Sequence, residues 1–204
     1  MIIIAFEGLD KSGKKSQSDM LYEALYERGI NVEKSEFHRY DTPTGQLIRQ
    51  FLDGEYKPNQ LAIECIMAAD KYAQLDWFNE LAEKTEVLIL DRYLASQFVY
   101  GQANYVDKDF AINLLELMPE PDFQFFLDIT PEESMGRKGK HGDNDKYESD
   151  QELLTRARNI YLEKMTLESE DDKALILDGT LPVQDLHHRI LERTLSLLEE
   201  QKGE

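Results

Sequence analysis

The stretch Gly8-Leu9-Asp10-Lys11-Ser12-Gly13-Lys14 decides the fold of this 204-residue chain. It follows the apolar run Ile2–Phe6, which is typical of a buried strand, and it leads into Lys14–Arg28, where apolar residues recur near helical spacing. A glycine-bearing turn between a strand and a helix lets backbone N–H groups converge on phosphate oxygens. The stretch therefore predicts a phosphate-binding loop.

Within this loop, Lys14 is the residue expected to reach the β- and γ-phosphates of a nucleotide and to neutralise charge as the γ-group leaves. The other loop residues expected to contact phosphate are Gly8, Lys11, Ser12 and Gly13. The alternative is an ordinary strand–helix turn with a solvated lysine, and the flanking strand and helix argue against it.

Short apolar runs and longer helical patterns alternate along the rest of the chain. The further predicted strands are Val32–Phe37, Glu86–Leu90, Phe123–Leu127 and Ala174–Leu177. The further predicted helices are Gln46–Leu52, Asn59–Lys84, Asp109–Leu117, Glu132–Arg137, Asp150–Leu167 and Val183–Glu199. Such alternation predicts an α/β fold of the P-loop NTPase type, with a doubly wound, parallel, five-stranded sheet covered by helices on both faces. The length and the absence of a linker-like stretch predict a single domain over residues 1–204.

Composition narrows the possible partners. The formal net charge of −18 argues against a polynucleotide, because nucleic-acid binding relies on basic patches. The run Met1–Phe6 is too short to cross a membrane, so no membrane partner is expected and the cytoplasm is the expected compartment. Cys65 is the single cysteine, which excludes an internal disulfide, and its apolar helical surroundings predict a packed thiol.

The residue after Lys14 departs from the usual phosphate-loop pattern. A hydroxyl is expected there to hold Mg²⁺, but Lys15 occupies the position and is followed by Ser16. A protonated lysine cannot coordinate a metal, so three outcomes are open. Ser16 and water take over, or Lys15 points away while an acidic residue such as Asp91 holds the ion, or activity is lost. Glu7 is a further candidate for ordering metal-bound water.

The third apolar run ends in Asp91-Arg92, and ligands of parallel sheets bind beyond the carboxyl ends of the strands. Asp91 is positioned like the acidic residue that orients Mg²⁺ in P-loop enzymes. Arg92 carries the planar donor fork that binds phosphate with two hydrogen bonds. A purely structural Asp–Arg pair is the alternative.

Together these motifs resemble the thymidylate kinase family, in the family's order and over nearly the whole chain. The resemblance rests on Phe6–Lys14, Asp91-Arg92-Tyr93 with Ser96 and Tyr100, Asp145-Lys146-Tyr147-Glu148, Arg158 with Tyr161, and Asp178-Gly179-Thr180. It implies phosphorylation of dTMP to dTDP with ATP as co-substrate and Mg²⁺ as cofactor, by an often homodimeric enzyme. Helices within Asn59–Lys84 and Asp109–Leu117 are the candidates for a dimer face.

The resemblance also implies roles for individual residues. Lys14, Arg92, Asp91 and Asp10 would be catalytic, with Asp10 accepting a hydrogen bond from the 3′-hydroxyl of the acceptor unless it is only a turn-stabilising carboxylate. The residues expected around the acceptor nucleotide are Asp10, Phe37, Arg39, Met67, Lys71, Arg92, Ser96, Tyr100 and Tyr147. Helix packing is the alternative for Tyr100, and Arg39 lies one position earlier than the family's arginine.

A basic, glycine-bearing segment at about residues 136–148 is expected to form a lid over ATP. Its candidate phosphate ligands are Arg137, Lys138, Lys140 and Lys146, joined on the ATP side by Lys15, Ser16, Gly179 and Thr180. Tyr147 and Glu148 are expected to help hold the lid closed. A solvated surface loop of mixed charge is the alternative for this segment.

Two departures from the family concern the base. Met67 stands roughly where the family has an aromatic ring that stacks on thymine, and Lys71 where it has an arginine. Core packing for Met67 and a solvated Lys71 are the alternatives. A kinase for another deoxynucleoside monophosphate therefore stays open, and Lys15 leaves open a nucleotide-binding protein without catalysis.

Overall fold

A computed structural model describes residues 1–137 and 146–202 of the chain. The strands are β1 (Ile2–Glu7), β2 (Val32–Glu36), β3 (Val87–Asp91), β4 (Phe123–Asp128) and β5 (Ala174–Asp178). The helices are α1 (Lys14–Tyr26), α2 (Pro43–Leu52), α3 (Gln60–Tyr72), α4 (Leu75–Ala82), α5 (Leu94–Ala103), α6 (Lys108–Asn113), α7 (Pro131–Gly136), α8 (Gln151–Glu170) and α9 (Val183–Lys202).

The five strands form one parallel sheet in the order β2-β3-β1-β4-β5. Alternate residues of β1 serve opposite faces of the sheet, as the two-residue period of a strand requires. Ile2 and Ile4 join a core with α1 and α9, whereas Ile3 and Ala5 join a core on the other face. The expected doubly wound α/β fold with helices on both faces is confirmed.

Helix starts follow local capping chemistry. Thr42 caps α2 by accepting a hydrogen bond from the Gly45 N–H, and Pro43 occupies the first turn. Asn59 and Asp150 cap α3 and α8 in the same way. Thr130 and Glu133 form a reciprocal capping box at α7.

The expectation of one helix over Asn59–Lys84 is wrong. The segment forms two helices, α3 and α4, and the helical conformation is interrupted between them at Ala73 and Gln74. Apolar spacing alone does not reveal this break, because both helices present an apolar face to the same core. The sixth helix is also shorter than predicted and ends at Asn113.

Two smaller features complete the fold. Cys65 is exposed on α3 rather than packed, which corrects the expectation of a buried thiol. Among the helices of the described ranges, none is both long enough and apolar enough to cross a membrane.

Candidate active site

The phosphate loop runs from the end of β1 to the start of α1, and its backbone shape depends on Gly8. Gly8 has φ +140°, and a Cβ at this residue would lie 2.5 Å from the Leu127 carbonyl oxygen. A side chain here is therefore excluded by both backbone strain and contact with β4. The Ser12 hydroxyl is buried and has no hydrogen-bond partner among the described residues, which suits a loop that awaits a ligand.

Lys14 is folded back onto the loop. Its Nζ donates to the carbonyl oxygens of Gly8 at 3.1 Å and Leu9 at 2.8 Å. Burial, and next the charge of Arg92, lower the pKa of Lys14 to about 8. Because incoming phosphates favour the protonated form, their binding would raise this pKa and fix the charge.

A cavity of about 560 Å³, here called the phosphate cavity, opens beside this loop. Its cationic side chains are Lys11, Lys14, Lys15, Arg92 and Arg137, and its carboxylates are Asp10, Asp19, Glu36, Asp91 and Glu148. The charges of this lining balance, in a chain whose net charge is −18. Several already form ion pairs, so a nucleotide would exchange carboxylates for phosphates.

Two of the three candidate metal ligands, Asp91 and Ser16, lie in the same cavity. Both line the phosphate cavity, and their oxygens are of the type that Mg²⁺ prefers. The Lys15 side chain points along α1 instead, with Nζ 3.1 Å from an Asp19 carboxylate oxygen. In the part of the chain that the structure describes, no cluster of three or more acidic, His or Cys ligands forms a metal site. Asp91 and Ser16 thus fit Mg²⁺ when nucleotide phosphates supply the other ligands.

Glu7 does not face the phosphate cavity. Its carboxylate is fully buried and accepts hydrogen bonds from the Tyr93 N–H at 2.9 Å, the Ser96 hydroxyl at 2.5 Å and the Tyr161 hydroxyl at 3.0 Å. The carboxylate thus ties the end of β1 to α5 and α8. The structure does not bring this candidate to the other proposed metal ligands.

Arg92 and Asp10 form the centre of the site. Arg92 has φ +65° and donates from Nη2 to Asp10 at 2.5 Å and from Nη1 to the Gly8 carbonyl oxygen at 3.0 Å. Tyr100 donates to the other Asp10 oxygen at 3.4 Å and lies under the guanidinium. Burial raises the pKa of Asp10, but the charges of Arg92 and Lys14 outweigh burial and lower it below its ordinary value. Asp10 is therefore an ionised acceptor.

A second, narrower cavity of about 100 Å³, here called the aromatic cavity, lies on the other side of Arg92. Tyr147 stacks on Tyr100 with ring centroids 5.5 Å apart and is also packed edge-on against Phe51. The lining residues are Asp10, Phe37, His38, Tyr40, Leu52, Met67, Lys71, Arg92, Tyr93, Ser96, Gln97, Tyr100 and Tyr147. Most of the residues expected around the acceptor, including Met67 and Lys71, are therefore brought together.

Lys71 is buried at the inner end of the aromatic cavity rather than solvated. Its Nζ donates to Gln97 Oε1 at 2.9 Å and lies 5.5 Å from the Phe37 ring centroid. Gln97 in turn donates from Nε2 to the Glu64 carbonyl oxygen at 2.9 Å, which fixes the orientation of its amide. Burial lowers the pKa of Lys71 to about 8.

The loop after β2 places its residues differently from expectation. Arg39 does not line the aromatic cavity; its guanidinium lies near Asp41, Gln74 and the Trp77 ring. His38 and Tyr40 line both cavities in its place. Burial, then the charge of Lys71, lower the pKa of His38 to about 4, so its imidazole is neutral at pH 7.

Asp70 holds this loop. Its carboxylate is fully buried and accepts from the Thr42 and Thr44 hydroxyls, each at 2.7 Å, and from the Arg39 N–H at 3.0 Å. His38 Nδ1 lies 3.3 Å from the same carboxylate. Burial raises the pKa of Asp70, but these hydrogen bonds lower it well below its ordinary value.

The ATP side is closed by contacts from α7 and the segment before α8. Arg137 donates to the Lys11 carbonyl oxygen at 3.1 Å and to the Gly179 carbonyl oxygen at 3.0 Å. Lys11 Nζ lies 3.3 Å from Glu148 Oε2, so the phosphate loop and the predicted lid segment are joined by an ion pair.

The remaining ATP-side candidates are less directly placed. Lys146 lies over the Phe51 ring at 4.2 Å, away from the loop, and the Thr180 hydroxyl donates to Asp178. Gly179 packs closely against the phosphate loop. A Cβ added to Gly179 would lie 3.3 Å from the Ser12 carbonyl oxygen and 2.7 Å from the Ile129 side chain. Lys138 and Lys140 lie outside the described residues.

Five residues line both cavities and mark where they meet: Asp10, Phe37, His38, Tyr40 and Arg92. Two anions bound from opposite sides would therefore meet at Arg92. This arrangement suits transfer of a group between two phosphate-bearing ligands, because in-line alignment and concentrated positive charge are what that chemistry needs.

Sequence reasoning missed Gln97, Asp70, Tyr40 and His38. Gln97 stands one turn after Tyr93 in α5, so helical spacing could have pointed to it. Asp70 lies next to Lys71 in an apolar helix, and a buried carboxylate there signals a polar network. Nothing in the spacing of the loop after β2 indicated that Tyr40 would replace Arg39.

Comparisons with known proteins agree with this geometry. Residues 6–190 match the family model described as thymidylate kinase. The chain is 27% identical to the thymidylate kinase of Plasmodium falciparum over 195 residues, covering 95% of this chain and 90% of that protein. It is 29% identical to a probable thymidylate kinase of Thermococcus kodakarensis, covering 98% and 100%.

A solved thymidylate kinase structure from Candida albicans has the same fold, with a TM-score of 0.80 at 24% identity over 98% of this chain and 92% of that one. The family model spans the phosphate loop, Arg92 and the aromatic cavity in one continuous match. The chain therefore belongs to the thymidylate kinase family.

Proposed function

We propose that this protein transfers the γ-phosphoryl group of ATP to dTMP and so forms dTDP and ADP. The observation that carries the proposal is the meeting of the two cavities at Arg92 and Asp10, within a chain that matches the thymidylate kinase family over residues 6–190. ATP would occupy the phosphate cavity, and dTMP the aromatic cavity.

The reaction needs alignment and charge rather than a strong base. An ionised phosphate oxygen of dTMP attacks the γ-phosphorus, and the bond from that phosphorus to the bridging β–γ oxygen breaks as ADP leaves with the electron pair. Lys14 and Arg92 offset the developing charge, while Asp10 is an acceptor for a hydroxyl of the acceptor sugar. Lys11 and Arg137 also line the phosphate cavity, where ATP would bind.

Lys71 and Gln97 support a base with a carbonyl group next to a ring N–H. Lys71 offers a donor, and Gln97 Oε1, oriented by its bond from Lys71, offers a remaining lone pair as acceptor. Thymine presents the complementary pair at O4 and N3–H. Cytosine presents an amino group and a bare nitrogen at these positions, so it would place donor against donor and acceptor against acceptor.

Mg²⁺ is part of the proposal as the cofactor. Asp91 and Ser16 would hold it beside the β- and γ-phosphates, where it would supply positive charge to the transferred group. Lys14 and Arg92 place fixed cations at the same phosphates. The cytoplasmic location and the extent of one kinase domain over residues 1–204 likewise stay proposals.

A homodimer is also proposed. Leu61 on α3 and Ile112 on α6 are about half exposed, and Leu117 is 77% exposed, so the two predicted helical regions carry apolar surface for a partner copy. Light scattering on the purified protein would then give twice the 23.7 kDa chain mass. A mass of one chain at assay concentration would contradict the dimer and leave the reaction untouched.

The reaction is tested by following ADP formation and chromatographic product identity with ATP, Mg²⁺ and each of dTMP, dUMP, dGMP, dCMP and dAMP. We expect dTDP as the main product and dCMP among the poorest acceptors. Lys57→Met, which changes an exposed lysine outside both cavities, is the matched control for lysine substitutions in the site. Turnover of another monophosphate above dTMP would overturn the base assignment, and no diphosphate from any of the five would overturn the kinase.

A further inference from the structure

Lys15 occupies the position after the loop lysine at which a metal-binding hydroxyl is expected, yet it lines the phosphate cavity as a cation. We infer that Lys15 serves as a built-in phosphate ligand that takes over part of the task of Mg²⁺, so that this enzyme binds ATP nearly as well without the metal as with it. The inference rests on the proposed use of this cavity for ATP.

A weak ion pair with Asp19 sets the direction of the Lys15 side chain. Lys15 Nζ lies 3.1 Å from Asp19 one helical turn later, and both side chains are about half exposed. Exposed pairs of this kind contribute little because water and salt screen them. Lys15 can therefore leave Asp19 at little cost when a stronger anion arrives.

Asp19 does not depend on Lys15 for a partner. Lys34, on the edge strand β2, forms an ion pair with the other oxygen of the same carboxylate. Burial, and next the charge of Lys15, lower the pKa of Lys34, which shows that the two ammonium groups repel each other. Departure of Lys15 leaves Asp19 paired and removes this repulsion.

The triphosphate is the stronger anion. Lys15 follows Lys14 in the first turn of α1, where backbone N–H groups also favour negative charge. An ammonium at a phosphate makes a charge-assisted hydrogen bond, which is stronger than a screened surface pair. The same ammonium repels a divalent cation brought to that phosphate, and it offers the metal no oxygen ligand.

A comparison with a cavity that has a hydroxyl at residue 15 points in the same direction. Asp91 is the carboxylate placed at the end of β3 beside the loop, and Ser16 is exposed at the cavity wall. Mg²⁺ held by one carboxylate and phosphates must share this space with Lys11, Lys14 and Lys15. The metal is therefore disfavoured relative to a cavity with a hydroxyl at residue 15, whereas metal-free ATP is favoured.

The test is calorimetric binding of a non-hydrolysable ATP analogue in EDTA and in saturating Mg²⁺, which needs no turnover. For the unaltered protein we expect the two dissociation constants to agree within about threefold. Lys15→Met should weaken binding in EDTA by about tenfold while changing binding in Mg²⁺ little. Lys15→Thr should weaken binding in EDTA equally and strengthen binding in Mg²⁺ by about tenfold, because it restores the hydroxyl.

Lys57→Met is the matched control. It removes an exposed lysine outside both cavities without changing residue 15, so the EDTA and Mg²⁺ affinities should keep their ratio. An unchanged EDTA affinity in Lys15→Met, or a strong metal requirement in the unaltered protein, would overturn the inference. Absence of analogue binding in every variant and condition would instead overturn the proposed ATP site itself.

Discussion

The phosphate cavity and the aromatic cavity share Arg92 and Asp10 but are built in opposite ways. The phosphate cavity is wide and is shaped by one continuous stretch of backbone between β1 and α1, with cations attached. The aromatic cavity is narrow and is closed by side chains from α2, α3, α5 and the segment before α8. The phosphate cavity is therefore formed by residues that are neighbours in the chain, whereas the aromatic cavity is formed by residues that packing brings together from distant parts of the chain.

This difference has a functional meaning. The backbone N–H groups of the loop are present whatever the side chains are. Substitutions therefore change the phosphate cavity mainly through its cationic side chains. The aromatic cavity can be altered at each wall separately, because Lys71, Gln97 and Tyr147 come from different elements. Recognition of the base should therefore vary more readily than recognition of the triphosphate.

The largest expected effect comes from Lys14→Met. Loss of the cation that neutralises the transferred group should lower kcat by about a thousandfold, whereas dTMP binding should change little because Lys14 does not line the aromatic cavity. Steady-state turnover and calorimetric dTMP binding check the two parts, with Lys57→Met as control. A comparable loss of dTMP affinity would show that the two cavities are not separable.

A smaller effect is expected from Asp70→Asn, which tests how the loop after β2 is held. Asparagine offers one acceptor oxygen where the carboxylate accepts from Thr42, Thr44 and the Arg39 N–H, so the loop should loosen and stability should fall by about 2 kcal/mol. KM for dTMP should rise about tenfold, the equivalent of 1.4 kcal/mol, and KM for ATP should change less. Equal changes in the KM values for dTMP and ATP would show that Asp70 supports both cavities.

The smallest expected effect is a pH dependence that belongs to Lys71. Its pKa of about 8 means that the free enzyme loses a charged donor as the pH rises above that value. At saturating ATP, kcat/KM for dTMP should therefore decline by a few-fold between pH 7.5 and 9.5. Lys71→Arg should remove this decline, because arginine stays protonated.

The same group has an opposite effect on folding. Between pH 8 and the ordinary lysine pKa of 10.5, the unfolded chain keeps a proton on Lys71 that the folded chain has lost, so the free energy of unfolding rises with pH. Lys71→Met should reduce this rise by about 2 kcal/mol between pH 7.5 and 9.5 in denaturant titrations. Lys14 contributes equally to both proteins, so the difference between them isolates Lys71; parallel curves would refute the assignment.

The sequence predicted the parts of the site that depend on neighbouring residues. The loop from Gly8 to Lys14 and the five strands follow from short patterns, and the family resemblance pointed to Ser96 and Tyr100, which line the aromatic cavity from α5. Spacing could not predict that Glu7 turns into the protein, since its partners Ser96 and Tyr161 lie 89 and 154 residues away.

Side-chain direction was the other limit. Lys15 turns to Asp19, and Arg39 turns to Asp41 and Trp77, because each finds a nearby carboxylate or ring that competes with the expected ligand. The hydrogen-bonded pair of Lys71 and Gln97 could not be predicted from spacing, because it depends on the mutual packing of α3 and α5.

The buried carboxylate of Glu7 limits how this sequence can diverge. Its three donors come from the backbone of Tyr93 and the hydroxyls of Ser96 and Tyr161. Removing the acceptor would leave the Tyr93 N–H unpaired in the core and would leave the two hydroxyls, which lie 2.8 Å apart, to pair with each other. An apolar replacement of the carboxylate is therefore coupled to changes of the two hydroxyls, because all three side chains are in direct contact. In descendants of this chain, positions 7, 96 and 161 should therefore be inherited as a set.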